Sequence, residues 1–220
     1  MFVAAPLFAE RRFPTWRYQR GGVVDHNALR PRRVWTVELV APLVAAVQDR
    51  VGTSGLPFYF IGHSAGAQFL SRVAAYATSG AGRIVIANPS TYVLPTTAEA
   101  VPYGFGGLGD GDALLRVYLS RPVTILLGEE DVGSKNLAES DAAMRQGSTR
   151  FERGQRTFAA AQAVAKAHGW PFGWRLSEVP GVGHNARTIF ASEEANTALA
   201  TEVASRAPAN LVDGSNGGGR

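Results

Sequence analysis

An apolar run in the first third of the chain ends abruptly at a serine that stands between two glycines. The run Phe58-Tyr59-Phe60-Ile61 leads directly into Gly62-His63-Ser64-Ala65-Gly66. The spacing G-x-S-x-G between an apolar strand and a helical pattern is typical of a nucleophile elbow, a sharp turn that exposes the serine. The backbone of such a turn is strained, which leaves little room for side chains two residues before and after the serine. The pattern therefore predicts that Ser64 is a nucleophile.

Apolar runs alternate with helical patterns along the rest of the chain. This alternation predicts an α/β fold, a mostly parallel sheet with helices on both faces. Strands are predicted at residues 2–6, 58–61, 83–87, 123–128 and 172–179, and helices at 34–51, 65–78, 154–168 and 186–206. Residues 88–118, which hold three prolines and a glycine-rich patch, predict a long loop or lid-like insert. We expect one domain over residues 1–206 and a disordered tail over 207–220.

An acid and a histidine stand just past the ends of two further predicted strands. Asp131 follows the fourth predicted strand, and His184 lies in a glycine-flanked loop after the fifth. The carboxyl ends of parallel strands share one edge of the sheet, so Ser64, Asp131 and His184 are expected to converge there. Their order along the chain, serine then acid then histidine, is the order expected for a fold built on this elbow. Glu129 and Glu130 remain alternatives to Asp131.

Other residues of the same chemical types have ordinary structural explanations. His63 adjoins the predicted nucleophile and is expected to pack behind the strand, while His26 and His168 have no comparable context. Four apolar or aromatic side chains in the predicted long loop either line an acyl pocket or lid, or pack as ordinary loop residues; these are Tyr92, Tyr103, Phe105 and Leu108.

Composition excludes several classes of protein. The 220 residues include no cysteine, which excludes disulfides and thiolate metal sites, and we expect neither a cofactor nor a metal. No run approaches the roughly 18 apolar residues of a membrane span. The net charge is +4, but the arginine-rich stretch 11–33 has no zinc-finger spacing or RNA-binding signature, so no nucleic-acid partner is expected. No basic region precedes the apolar start, which predicts a cytoplasmic protein unless a leader peptide precedes this sequence; with such a leader it would be secreted or periplasmic.

The elbow, the turn at 128–131 and the loop at 181–184 resemble those of α/β-hydrolases, in particular bacterial serine esterases of the polyhydroxybutyrate-depolymerase and dienelactone-hydrolase type. The resemblance covers most of the chain and is weaker over residues 91–116. It implies hydrolysis of a small-molecule carboxylic ester in two steps. Ser64 would be the nucleophile, His184 the base and Asp131 the residue that orients it, while the backbone N–H of Ala65 would line the oxyanion hole.

The beginning of the chain departs from this family. The run at 2–6 resembles the fourth strand of the fold, so we expect only the fourth to eighth strands and an N-terminally truncated hydrolase. The third strand of the family carries the loop that gives a second oxyanion donor. Two alternatives therefore stay open: a peptidase or amidase that uses the same triad, and a weakly active or non-catalytic α/β module.

Overall fold

The structure is a computed structural model that describes residues 2–200. The strands are β1 (Val24–Asp25), β2 (Ala28–Leu29), β3 (Tyr59–His63), β4 (Arg83–Ala87), β5 (Val123–Gly128) and β6 (Arg175–Val179). The helices are α1 (Val40–Val51), α2 (Ala65–Tyr76), α3 (Gly111–Ser120), α4 (Asp141–Met144), α5 (Arg150–His168), α6 (Ala186–Phe190) and α7 (Glu193–Leu199). The predicted end of the last helix at 201–206 and the tail predicted at 207–220 lie outside the described residues.

Strands β3 to β6 form one parallel sheet in the order β3-β4-β5-β6. His63 at the end of β3 pairs with Ala87 at the end of β4, and Gly128 at the end of β5 pairs with Val179 at the end of β6. The carboxyl ends of the strands are thus level with one another. The residues that follow β3, β5 and β6 therefore emerge at the same edge of the sheet.

Helices cover both faces of this sheet. Successive side chains of a strand point to opposite faces, so each strand contributes side chains to both. Ile84 and Ile86 of β4 belong to a large core with side chains of α2, α3 and α5. Val85 and Ala87 belong to a smaller core with side chains of α6 and α7. Every residue of β4 and β5 is buried, as expected for strands of a parallel sheet. The predicted α/β class is confirmed.

The run at residues 2–6 does not form the strand that the sequence predicts. It has no regular structure, and Phe2 and Val3 are 72% and 80% exposed. An apolar run alone does not specify a hydrogen-bond partner, and a strand needs one to be stable. Phe8, just after the run, packs instead against Tyr18 and Phe69 of α2. Within residues 2–200, no strand pairs with the outer edge of β3.

Several helix boundaries also differ from the predicted ones. The helix predicted at 154–168 begins four residues earlier, at Arg150. The helix predicted at 34–51 begins as short 3-10 turns and becomes α1 at Val40, so that Pro42 lies in the first α-helical turn, where a missing N–H costs little. The segment predicted as a loop up to 118 contains α3 from Gly111. The closing helix is two helices, and the Ser192 side chain caps the second by accepting the N–H of Ala195. Within residues 2–200, no helix is both long and apolar enough for a bilayer crossing.

Candidate active site

Ser64 occupies a tight turn between β3 and α2. Its backbone has φ 53° and ψ −112°, a conformation that non-glycine residues rarely adopt. Its N–H donates to the carbonyl of Ala87 at 3.0 Å, which ties the turn to β4. A Cβ on Gly62 would lie 2.8 Å from the carbonyl carbon of Gly66, so Gly62 permits the close approach of strand and helix. A Cβ on Gly66 would only contact the Tyr18 hydroxyl, at 3.5 Å.

The N-terminus of α2 begins directly after this serine. Ala65 is the first helical residue, so no preceding turn of the helix supplies a carbonyl for its N–H. The positive end of the helix dipole also favours negative charge at this position. The turn therefore places the Ser64 hydroxyl next to the Ala65 N–H, a backbone donor that can bind a negatively charged oxygen.

Asp131 lies in the turn that follows β5, and its side chain is 1% exposed. Its Oδ2 atom is 2.6 Å from Nδ1 of His184. The turn is closed by the N–H of Asp131, which donates to the carbonyl of Gly128 at 3.0 Å. The alternative acids Glu129 and Glu130 are exposed, so among the three neighbouring acids it is Asp131 whose carboxylate contacts the imidazole.

His184 lies in the loop between β6 and α6 and links the acid to the serine. Its Nε2 atom is 3.0 Å from Oγ of Ser64. Because the carboxylate of Asp131 only accepts hydrogen bonds, Nδ1 carries the proton and Nε2 accepts from the serine hydroxyl. The side chain of His184 is 30% exposed, and Asn185 just after it caps α6 by accepting the N–H of Thr188. The three predicted residues thus form a continuous hydrogen-bonded row at the sheet edge.

The turn that carries the acid and the loop that carries the histidine are in direct contact. The N–H of Glu130 donates to the carbonyl of Val182 at 3.0 Å. A Cβ on Gly128 would overlap that same carbonyl oxygen. The glycine therefore lets the two segments approach closely enough for Asp131 to reach His184.

Asn88, just after the neighbouring strand β4, makes a hydrogen bond to the turn that carries Asp131. It follows β4, is fully buried and has φ 46°. Its Oδ1 atom accepts the N–H of Gly128 at 3.0 Å. The sequence reasoning missed this residue, although its place directly after a buried strand is the signal that identified Asp131 and His184.

Arg150 is a second residue that the sequence reasoning missed. It lies in the first turn of α5 with its side chain 1% exposed, and Nη1 is 3.3 Å from Oδ1 of Asp131. The two oxygens of the carboxylate therefore have different partners, the guanidinium and the imidazole. Nothing local in the sequence separates Arg150 from the many other arginines.

His63 packs beside the predicted base. The two imidazole rings are 4.5 Å apart and tilted by 38°, and Phe190 of α6 lies 6.2 Å from His63 on another side. Burial, and secondarily the neighbouring His184, lowers the pKa of His63 to about 4. His63 is therefore neutral at neutral pH and adds no charge beside the base.

Two of the four loop side chains that were candidates for an acyl pocket belong to the core instead. Tyr92 and Phe105 are fully buried, and Phe105 packs against Tyr76 and Tyr118. Tyr103 is half-buried beneath Arg20.

Two cavities of about 430 and 420 Å³ border the segment 95–113, and neither is lined by Ser64, His184 or Asp131. Among residues 2–200, no group of three or more His, Asp or Glu side chains could hold a metal ion.

Neither a protein-family model nor a curated protein matches the chain. Two solved structures resemble it strongly. The poly(3-hydroxybutyrate) depolymerase LpqC from Bordetella parapertussis is 33% identical with a TM-score of 0.79, over 88% of this chain and 66% of its own. Poly(aspartic acid) hydrolase-1 from Sphingomonas sp. KT-1 is 33% identical with a TM-score of 0.76, over 83% of this chain and 71% of its own. The chain thus spans just under two thirds of the depolymerase. With a parallel sheet, helices on both faces and these two relatives, the chain belongs to the α/β-hydrolase superfamily.

Proposed function

We propose that the chain is a serine hydrolase that cleaves carboxylic esters through an acyl-enzyme. The observation that carries the proposal is the row of hydrogen bonds from Asp131 through His184 to Ser64, with separations of 2.6 Å and 3.0 Å. A serine hydroxyl is a weak nucleophile unless a base is placed to take its proton. Two loops that are distant in the sequence meet the strained turn here, so an imidazole nitrogen lies within hydrogen-bond distance of the serine hydroxyl. The two similar structures described above are, by name, a poly(3-hydroxybutyrate) depolymerase and a poly(aspartic acid) hydrolase.

The first step forms the acyl-enzyme. Oγ of Ser64 attacks the carbonyl carbon of the ester while Nε2 of His184 takes the hydroxyl proton. Asp131 accepts the hydrogen bond from Nδ1–H and stabilises the imidazolium that forms. The backbone N–H of Ala65 donates to the oxyanion of the tetrahedral intermediate. His184 then gives its proton to the departing alcohol.

The second step releases the acid and restores the serine. His184 takes a proton from a water molecule as the water oxygen attacks the acyl carbonyl. The carbonyl of the acyl-enzyme again becomes an oxyanion beside Ala65. Collapse of this intermediate breaks the bond to Oγ, and the proton returns from His184 to Ser64.

A fluorophosphonate probe tests the proposal directly, since it labels only a serine that is activated. The wild-type protein should be labelled and should hydrolyse a p-nitrophenyl ester, whereas Ser64→Ala should lose both reactions and remain folded. Ser54→Ala is the matched control, because Ser54 is exposed and lies 3.4 Å from the carboxylate of Asp49 but has no imidazole partner. A wild-type protein that fails to react would identify a non-catalytic module.

Hydrolysis of amides is the second candidate. The poly(aspartic acid) hydrolase among the similar structures acts, by its name, on a polymer joined by amide bonds. An ester and an amide with the same acyl group separate the two candidates. Turnover of the ester alone supports the esterase, and comparable turnover of the amide supports the amidase.

A further inference from the structure

We infer that Arg150 is a positioning residue of this site: its guanidinium compensates the charge of the buried Asp131 carboxylate and holds it oriented toward His184. The inference rests on the proposed function, because it assigns Arg150 a role through the proposed triad. Both members of the pair are 1% exposed, and Nη1 of Arg150 lies 3.3 Å from Oδ1 of Asp131. The opposite oxygen, Oδ2, is the atom that contacts His184.

The guanidinium also holds the chain segment that follows the acid. Nη2 of Arg150 donates to the carbonyl of Lys135 at 2.7 Å, and Nη1 donates to the carbonyl of Gly133 at 3.4 Å. One planar group thus contacts both the carboxylate and the backbone two and four residues beyond it. Thr149 fixes the start of α5 by accepting the N–H of Glu152 with its side chain. The position of Arg150 is therefore set by a capped helix rather than by the loop that it holds.

Charge provides the second part of the argument. A carboxylate removed from water needs a compensating charge or it becomes protonated. The guanidinium of Arg150 is the permanent cation in contact with this carboxylate. An ionised Asp131 can only accept a hydrogen bond, which keeps the proton of His184 on Nδ1 and leaves Nε2 free for the serine.

The same contact fixes the orientation of the carboxylate. Oδ1 of Asp131 is held by the guanidinium and Oδ2 faces the imidazole. Without the guanidinium, Oδ1 loses this partner and the carboxylate is free to turn away from Nδ1 of His184.

A matched control lies three residues further along α5. Arg153 is also fully buried, but it donates to the backbone carbonyls of Gly147, Ser90 and Ala138 rather than to Asp131. Substitution of either arginine removes a buried guanidinium from the same helix. Only substitution of Arg150 removes the cation from the carboxylate.

The experiment compares kcat and KM for full-length wild type, Arg150→Met, Arg150→Lys, Arg153→Met and Ser64→Ala with a p-nitrophenyl ester. We expect Arg150→Met to lower kcat by about 10-fold to 100-fold with little change in KM, the scale of a misplacement of about 1 Å. Arg150→Lys should recover part of this loss because it keeps a cation beside the carboxylate, and Arg153→Met should leave kcat within about twofold of the wild type. If Arg150→Met does not fold, Arg150→Lys should still have a lower kcat than the wild type at an unchanged KM, because one ammonium group cannot hold Oδ1 and both carbonyls as the planar guanidinium does.

An Arg150→Met variant with the kcat of the wild type would overturn the inference while leaving the proposed function intact. An equal loss of kcat in Arg153→Met would overturn it too, because it would indicate a general effect of α5. Retained ester hydrolysis in Ser64→Ala would instead overturn the proposed function itself.

Discussion

The imidazole rings of His63 and His184 lie 4.5 Å apart. Mainly because of burial, the pKa of His63 falls from 6.5 to about 4. In the unfolded chain this histidine takes up a proton as the pH falls through 6.5, whereas in the folded protein it does so only near 4. The unfolded state therefore binds more protons over this window, and stability decreases as the pH falls from 6.5 to 4.

Replacement of His63 by glutamine should remove this contribution. We expect His63→Gln to lose less stability than the wild type between pH 7 and pH 4.5, as measured by urea midpoints at each pH. His26→Gln is the control, because His26 is 96% exposed and its variant should follow the wild type. Parallel pH curves for wild type and His63→Gln would contradict the prediction.

Asp131→Asn should reduce kcat by on the order of 10,000-fold, as loss of the correct imidazole tautomer does in serine hydrolases. An amide at this position can donate to Nδ1 and so place the proton on Nε2, where it blocks acceptance from Ser64. Steady-state kinetics with one ester provide the measurement. Glu130→Gln changes an exposed neighbouring acid. It should leave kcat within about twofold, because water and salt screen the charge of an exposed carboxylate. Equal losses in the two variants would show that the acid has been assigned incorrectly.

Gly128→Ala should destabilise the protein by about 1–3 kcal/mol and lower ester hydrolysis as well, because the added Cβ overlaps the carbonyl oxygen of Val182. The clash would move the turn that carries Asp131 away from the loop that carries His184. Urea unfolding and kcat would be measured together. Gly109→Ala is the control because nothing lies within 4 Å of the added Cβ there. A Gly128→Ala protein as stable and active as Gly109→Ala would refute the proposed close approach.

Asn88→Gly should cost about 1–3 kcal/mol, since it leaves the buried N–H of Gly128 without the acceptor that Oδ1 provides at 3.0 Å. Glycine tolerates the φ of 46°, so backbone strain does not contribute to the loss. Asn136 also has a positive φ, of 56°, but is exposed. Asn136→Gly should therefore show little loss in thermal unfolding, and similar losses in both variants would argue against the hydrogen bond as the cause.

The parts of the structure that the sequence predicted are those encoded by local patterns. The strands β3 to β5 are largely apolar, and β6 mixes polar with apolar residues but is bounded by turn residues as they are. The helices between the strands account for their parallel orientation. The meeting of Ser64, Asp131 and His184 was expected for the same reason, since each follows a strand of one sheet. Their catalytic roles remain a proposal.

The parts that the sequence did not predict depend on partners distant in the chain. The run at 2–6 is as apolar as a strand, but no strand within residues 2–200 pairs with it. Arg150 is one arginine among many, and its importance arises only when α5 brings it to Asp131, 19 residues earlier. The change from 3-10 turns to α-helix at Val40 and the break at Ser192 depend on turns and caps that periodicity alone does not resolve.

The division of the protein into two cores has a consequence for heat inactivation. The nucleophile turn leads into α2 and the larger core, whereas the loop of His184 leads into α6 and the smaller core, which includes Val182, Ile189 and Ala195. Segments with few buried contacts open before the whole molecule unfolds. His184, the proposed proton acceptor, would then be displaced while Ser64 still lies in its turn, and the proposed catalysis would fail reversibly at temperatures where the main body of the protein is still folded.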